Sequence, residues 1–348
     1  MSKPYGLLLK MMPRMQNNSS KGSDVHFGSS DSRPTSKYRS LPYQLTTLFL
    51  FTKSDFKTVI LPQSVFALSL VFSAPEAARL YHPNGRGEMA LRIGYMLAWI
   101  WLHLLIEDVA NQSIDNSIIE DSVNKPWRPI PAGRLSALEA RSLLRVAVVA
   151  AMALSVFLHS LLPSTTLMTV VWLYNDLDGC STGPIMRNAL NAAGLACFGW
   201  GAVSVLLDGQ LGEGNTARDW MVLTAVIVLT TVHVQDLPDM EGDRARNRQT
   251  APLVYGEAWT RWTVAVLTCF WSVVCSAFWR VSIPYAMAPL GIAMAMSAVI
   301  LLSKSQPLDE VGWKLWCLWV SVLFLLPLLR NTADQQLPGS EALLGLVL

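Results

Sequence analysis

Nine stretches of this sequence are apolar for long enough, or nearly so, to cross a bilayer as helices, and that pattern restricts the fold more than anything else in the chain. They run over residues 56–74, 88–109, 138–160, 162–176, 187–207, 219–235, 260–280, 283–303 and 313–330. The hydrocarbon layer is ~30 Å thick and takes roughly 17–25 helical residues, so the fourth stretch is short for the task. A chain of 348 residues with 52% hydrophobic content and a mean hydropathy of +0.35 is too apolar for a soluble domain. The expected fold is all-α, an integral membrane bundle of about nine transmembrane helices.

Lysine and arginine set the orientation. With the N-terminus cytoplasmic, only Arg79, Arg86, Arg92, Arg218, Arg280 and Arg330 of the 27 basic residues fall on the far side. That bias places the N-terminus inside and the C-terminus outside. The net charge of +2 follows from it and gives no reason to expect nucleic acid. Cys180, Cys197, Cys269, Cys275 and Cys317 have no metal or disulfide spacing and read as small core residues. Residues 1–40 are polar and basic, as expected of a disordered arm. A catalytic membrane domain is expected over 41–331 and a tail over 332–348. Leu41–Lys53 suits a helix lying in the interface, and Pro62 is expected to kink the first span. The protein is placed in the endoplasmic reticulum, with the mitochondrial inner membrane as the alternative because the first 23 residues are basic and free of acids. No protein partner is identifiable from the pattern.

Polar groups cluster where three of these stretches end, on one side of the membrane. Asp236, Asp239 and Asp243 follow the run Trp220–Val234 at spacings of three and four, so on a helix they share a side. Like charges that close repel, and Mg²⁺ with phosphate oxygens would relieve the repulsion. A solvated acidic loop neutralised by Arg244, Arg246 and Arg248 is the plainer alternative. The second stretch ends in Glu107, Asp108, Asn111, Asp115, Ser117, Glu120 and Asp121, followed by Pro126, Pro129 and Pro131, which hold Lys125 and Arg128 beside the acids. Ionisable groups entering a membrane are costly and mark a site by default. Tyr174 closes the fourth stretch, and Arg187, Asn188 and Asn191 open the fifth, whose Gly and Ala content favours close helix packing. Most of the 13 tryptophans read as interface anchors, with Trp172 and Trp200 as candidate pocket walls.

Together the two acidic stretches resemble the UbiA superfamily of intramembrane prenyltransferases, over roughly residues 42–330. Asn124-Lys125-Pro126-Trp127-Arg128-Pro129-Ile130-Pro131-Ala132-Gly133 and Asp236-Leu-Pro-Asp239-Met-Glu-Gly242-Asp243 match that family's motifs in full. The resemblance implies a helical bundle with a lateral opening to its cavity. The first acidic motif departs from the family pattern. Counting back from Asn124 puts Asp121 at the last Asp position, Ser117 at the one before and Ser113 at the Asn position. Asn111-Gln112 and Asp115 fit only with two extra residues. The Asn-Gln opening and the Glu-Asp ending are most similar to a fungal branch that includes membrane sesquiterpene cyclases.

The resemblance implies Mg²⁺-assisted departure of diphosphate from an allylic carbon. Asn111, Asp115, Glu120, Asp121, Asp236, Asp239 and Asp243 are then the candidate metal ligands, with Asp115 favoured over Ser117. Asn111, Lys125, Arg128, Arg187, Asn191 and Arg244 are candidates for the diphosphate, and Tyr174 for the aromatic face that protects the cation. The favoured activity is cyclisation of a prenyl diphosphate, farnesyl diphosphate in the first instance, to a terpene hydrocarbon. Transfer of the prenyl group to an aromatic or other small acceptor is the alternative, with Arg92 as the candidate partner for an aromatic carboxylate, and an ion-coupled membrane protein without enzymatic activity is the third reading.

Overall fold

The computed structural model describes residues 39–73, 86–209 and 215–330. The expected tail, and the expected arm but for its last two residues, lie outside them. Helix α1 (Leu41–Thr52) passes through a 3-10 turn at Lys53–Asp55 and a π turn at Phe56–Ile60 into α2 (Leu61–Ser73). The interfacial helix and the first span are therefore one helical run over Leu41–Ser73. The irregular turns precede Pro62, which offers no N–H to the turn before it. They also turn Asp55, Thr58 and Val59 toward the interior cavity.

Next come α3 (Arg86–Gln112), α4 (Asp115–Asn124), α5 (Ala137–Phe157), α6 (Leu161–Asn175) and α7 (Pro184–Leu206). They are followed by α8 (Asn215–Thr231), a 3-10 turn at Val232–Gln235, α9 (Asp236–Ala245), α10 (Ala251–Val254), α11 (Glu257–Phe278), α12 (Ile283–Leu302) and α13 (Gln306–Leu323). No strand occurs among the described residues.

Seven of these helical runs are long and apolar enough to cross a bilayer, against the nine stretches of the sequence. The other two are helical but fall short for different reasons. Helix α6 has 15 residues, about 22 Å of helix. Helix α13 carries Asp309, Glu310 and Lys314. Even so, α6 returns the chain to the polar end of the bundle, where Asn111 at the end of α3 donates to Asn175 at 3.0 Å. Helix α13 is tied there too, because the buried Arg261 guanidinium holds Asp309 and the Ile300 carbonyl.

The core is built on tryptophan more than the interface-anchor expectation allowed. Trp99, Trp220, Trp316 and Trp319 are fully buried. The indole N–H groups of Trp99, Trp316 and Trp319 donate to Ser155, Thr231 and Ser272 at 2.9–3.0 Å. A buried indole is tolerated when its N–H finds an acceptor, and small hydroxyls on neighbouring helices supply one. The small residues of α7 have the packing role expected of them. A Cβ on Gly201 would lie 2.0 Å from the Trp99 ring.

Candidate active site

Three helices carry the same gradient along the faces they turn to the cavity. On α3 the lining runs Leu104, then Glu107 and Asp108, then Asn111; on α6 it runs Leu167, Val170 and Val171, then Tyr174 and Asn175; on α7 it runs Phe198, Leu195 and Gly194, then Asn191 and Arg187. Each series steps by three or four residues, as one face of a helix must. Phe198 and Arg187 are thereby separated by about 16 Å along α7. The cavity has a volume of ≈ 1020 Å³ with its open mouth included, apolar at one end and densely charged at the other.

The charged end joins the two motifs directly. Asn124 donates to the Asp239 carbonyl at 3.0 Å and accepts from Gly242 N–H at 3.1 Å, while Lys125 Nζ lies 3.0 Å from Asp239 Oδ2. Glycine is required at 242, because a Cβ there would sit 2.2 Å from the Asn124 amide nitrogen. Arg128 bonds Asp121 Oδ1 at 2.8 Å and Ser54 Oγ at 2.9 Å, with Asp55 at 3.7 Å. Arg187 bonds Asp236 at 3.0 Å and Tyr174 Oη at 2.5 Å. Arg248 bridges Glu120 and Asp243 at 3.1 and 3.2 Å. Arg246 reaches Ser117 and Glu120 at 2.8 and 3.1 Å.

Burial and pairing compete at each group. Burial raises the Glu120 carboxyl, but Arg248, Lys125 and Arg187 outweigh it and hold that group below its usual range. At Asp121 burial prevails over Arg128 and Lys125, and the carboxyl is raised. Burial would lower Lys125, yet Asp239 keeps its ammonium above the ordinary value.

The structure brings together most of the residues singled out from the sequence. Asn111, Glu120, Lys125, Arg128, Tyr174, Arg187, Asn191 and Asp239 line the cavity, and Asp121, Asp236 and Asp243 lie buried behind them on its bases. Asp115 is not among them. The helix is interrupted at Ser113 and Ile114, and α4 begins with Asp115 exposed and Ser117 buried against Arg246. Arg244 is also exposed, on the outer side of α9; Arg246 and Arg248 turn inward instead, so the solvated acidic loop is not what forms. Neither Trp172, which is exposed, nor Trp200 lines the cavity. Phe198 takes the aromatic position. Arg92 pairs with Glu88 and Asp208 and is not a lining residue. Asp55, Asn175, Gln235 and Arg248 line the cavity without having been expected there, and Glu107 and Asp108, noted only as part of an acidic run, line it too. The spacing of 104, 107, 108 and 111 was the available signal for the last two.

Among the described residues no three His, Cys, Asp or Glu side chains gather closely enough to hold a metal by themselves. The acids nevertheless suit Mg²⁺, which takes one or two carboxylates and fills its shell with phosphate and water. Asp121, Asp236 and Asp243 each give one oxygen to an arginine and keep the other, Oδ2, buried without a partner.

The fold is thus a helical membrane bundle around a cavity that is charged at one end and apolar at the other. The UbiA prenyltransferase family matches residues 67–323, and the chain belongs to that family. It is 30% identical to fumagillin beta-trans-bergamotene synthase of Aspergillus fumigatus over 82% of this chain and 94% of that protein. It is 25% identical to the diterpene cyclase eriG of Hericium erinaceus over 76% of this chain and 80% of that protein. A UbiA homologue from Archaeoglobus fulgidus, determined bound to GPP and Mg²⁺, shares the fold with a TM-score of 0.55, at 11% identity over 81% of this chain and 99% of the other. The protein is accordingly a UbiA-type enzyme, terpene cyclase or prenyltransferase.

Proposed function

We propose that this enzyme ionises a prenyl diphosphate, farnesyl diphosphate in the first instance, and cyclises it to a terpene hydrocarbon. The observation that carries this reading is the distribution of charge: every ionisable group of the cavity lining belongs to the end where the two motifs meet, and the apolar end is lined by Leu104, Leu167, Leu195 and Phe198. A carboxylate-bearing acceptor needs a basic partner inside the cavity, and Arg92, its candidate, is engaged elsewhere. A cyclase needs none, because the nucleophile is a distal double bond of the same chain.

Lys125, Arg128, Arg187 and Arg248 bind the diphosphate, exchanging part of their contact with Asp239, Asp121, Asp236 and Glu120 for its oxygens. Asp121, Asp236 and Asp243 would hold Mg²⁺ through their free carboxylate oxygens, and it would supply charge that favours departure of the diphosphate. The allylic C–O bond breaks with both electrons leaving on diphosphate. The distal π bond then forms the new C–C bond, and a proton passes to the released diphosphate as the final double bond forms. Tyr174 stands where the charged end gives way to the apolar one, its hydroxyl fixed by Arg187. Its ring and that of Phe198 offer the cation faces worth ~0.5–2 kcal/mol each. The apolar wall excludes water, which would otherwise trap the cation as an alcohol.

The test is incubation of membranes containing the enzyme with farnesyl diphosphate and Mg²⁺ but no acceptor, with hydrocarbons followed by gas chromatography. A cyclic hydrocarbon is expected. No hydrocarbon from any prenyl diphosphate, but a prenylated product on adding an aromatic acceptor, would establish the transferase instead.

A further inference from the structure

Asp108, like Asp121, Asp236 and Asp243, keeps a buried Oδ2 without a partner, but it differs from them in two ways. It lines the cavity itself, and it has no ion pair among the described residues. Gln112, on the next turn of α3, donates to the Phe51 carbonyl at 2.9 Å and to Asp108 Oδ1 at 3.2 Å, which holds the carboxyl by one oxygen and leaves the other free. Asn111 is held in the same manner. Asn175 donates to the Val171 carbonyl at 3.1 Å, which decides which end of its amide is nitrogen, so its Oδ1 accepts from Asn111 Nδ2 at 3.0 Å. The remaining oxygen, Asn111 Oδ1, is neither hydrogen-bonded nor buried, and the cavity is what the residue lines. Asp108 and Asn111 are three apart and share a face of α3. The four bases of the lining, Lys125, Arg128, Arg187 and Arg248, all come from other elements, so the α3 wall offers oxygens and no base.

We infer that Asp108 and Asn111 hold a divalent cation of their own, distinct from the one on Asp121, Asp236 and Asp243, and that Gln112 and Asn175 are the positioning residues that aim their oxygens at it. The inference rests on the reading of the charged end as a diphosphate site, and holds for cyclase and transferase alike. A buried carboxylate with neither base nor cation is costly. Mg²⁺ suits this wall, since it takes one or two carboxylates and fills its shell with phosphate and water. Glu107, which also lines the cavity, is at hand as the second carboxylate. The break before α4 creates the need: Asp115, one turn after Asn111, is exposed, and the acid one turn before takes its place. Outer partners that fix the orientation of a ligand are what a metal site requires, and here both are amides anchored on backbone carbonyls. The ion binds together with the diphosphate, whose oxygens complete its shell.

The experiment counts Mn²⁺ bound per chain by equilibrium dialysis of the full-length protein in detergent, with inorganic diphosphate present. Mn²⁺ is the probe because it takes the same oxygen ligands as Mg²⁺. The wild type is expected to bind two ions and Asp108→Asn one. The substituted amide still accepts from Gln112, so the unfolding midpoint without ligands should stay or rise, whereas loss of a structural acid would lower it. Asn175→Leu leaves both ligands in place but frees the Asn111 amide, and should weaken one ion by about 10–100-fold while the other keeps its affinity. Equal weakening of both ions, or of neither, overturns the positioning role of Asn175. Should Asp108→Asn be destabilised, Asn111→Ala decides in its place: loss of one ion supports the site and retention of both overturns it. Two ions retained by folded Asp108→Asn would make Asp108 a buried neutral acid and overturn the site. A wild type that binds one ion overturns it too, while leaving the diphosphate reading intact. A wild type that binds no Mn²⁺ with diphosphate overturns both.

Discussion

At the scale of single residues, chemistry follows from which member of a crowded polar run faces inward, and the run alone does not say. Arg244, Arg246 and Arg248 are equivalent as sequence. Helix α9 ends at Ala245 and the chain reverses through Asn247 at φ 59°, with Arg248 N–H on the Asp243 carbonyl at 2.9 Å. Arg246, still in the helical turn with its N–H on the Gly242 carbonyl, faces Glu120 from the side of Gly242 and Asp243; the reversal brings Arg248 there too, and Arg244 stays outside. The same holds for Asp115 and Ser117, whose register is decided by the break at Ser113 and Ile114. Spacing did suffice for Asp236, Asp239 and Asp243, because they lie within one unbroken helix. Diphosphate release should therefore fall on the order of 10²-fold in Asp121→Asn and Arg248→Ala, the scale on which loss of one charge-stabilising contact is felt. Asp115→Asn and Arg244→Ala should stay within about twofold, as exposed substitutions do. A collapse of activity in Asp115→Asn alongside that in Asp121→Asn would reinstate the sequence register.

At the scale of elements, the site depends on the docking of α4 against α9. Most helices could be read from apolar length, and their ends from polar clusters, but this docking could not. It depends on a side-chain amide meeting backbone groups 115 and 118 positions away. Asn124 satisfies a carbonyl on α9 with one end of its amide and an N–H with the other. Losing it leaves both groups to find water or go without, at about 1–3 kcal/mol where they remain buried. Gly242→Ala attacks the same contact from the other side by placing a methyl where the amide lies. Asn124→Ala and Gly242→Ala should each lower the unfolding midpoint in detergent, and the double variant should cost less than the sum of the two, since the added methyl then meets no amide. Strict additivity would mean that the amide does not join the helices.

On the scale of the whole molecule, the distribution of charge also determines what holds the bundle together. Metal that is structural contributes folding energy outright, and its removal unfolds the protein. Here the acids at the motif end already have basic partners within the chain: Asp121 with Arg128, Asp236 with Arg187, Asp239 with Lys125, Glu120 and Asp243 with Arg248. Each acid or base left alone would be costly in a buried setting, and the pairing removes that cost without any ion. The bundle should then be stable without metal and depend on it only for turnover. Chelation is expected to abolish diphosphate release while leaving the thermal unfolding midpoint of the substrate-free protein unchanged. Inorganic diphosphate and Mg²⁺ added together should raise that midpoint, because they bind the folded site and not the unfolded chain; at a hundred times Kd the gain is about 2.7 kcal/mol. Mg²⁺ alone should do much less, since the arginines still occupy one oxygen of most carboxylates until an anion draws them away. Turnover persisting in excess chelator would exclude the metal-assisted route. Unfolding on chelation would mean instead that the ion pairs do not suffice to hold the motif end closed.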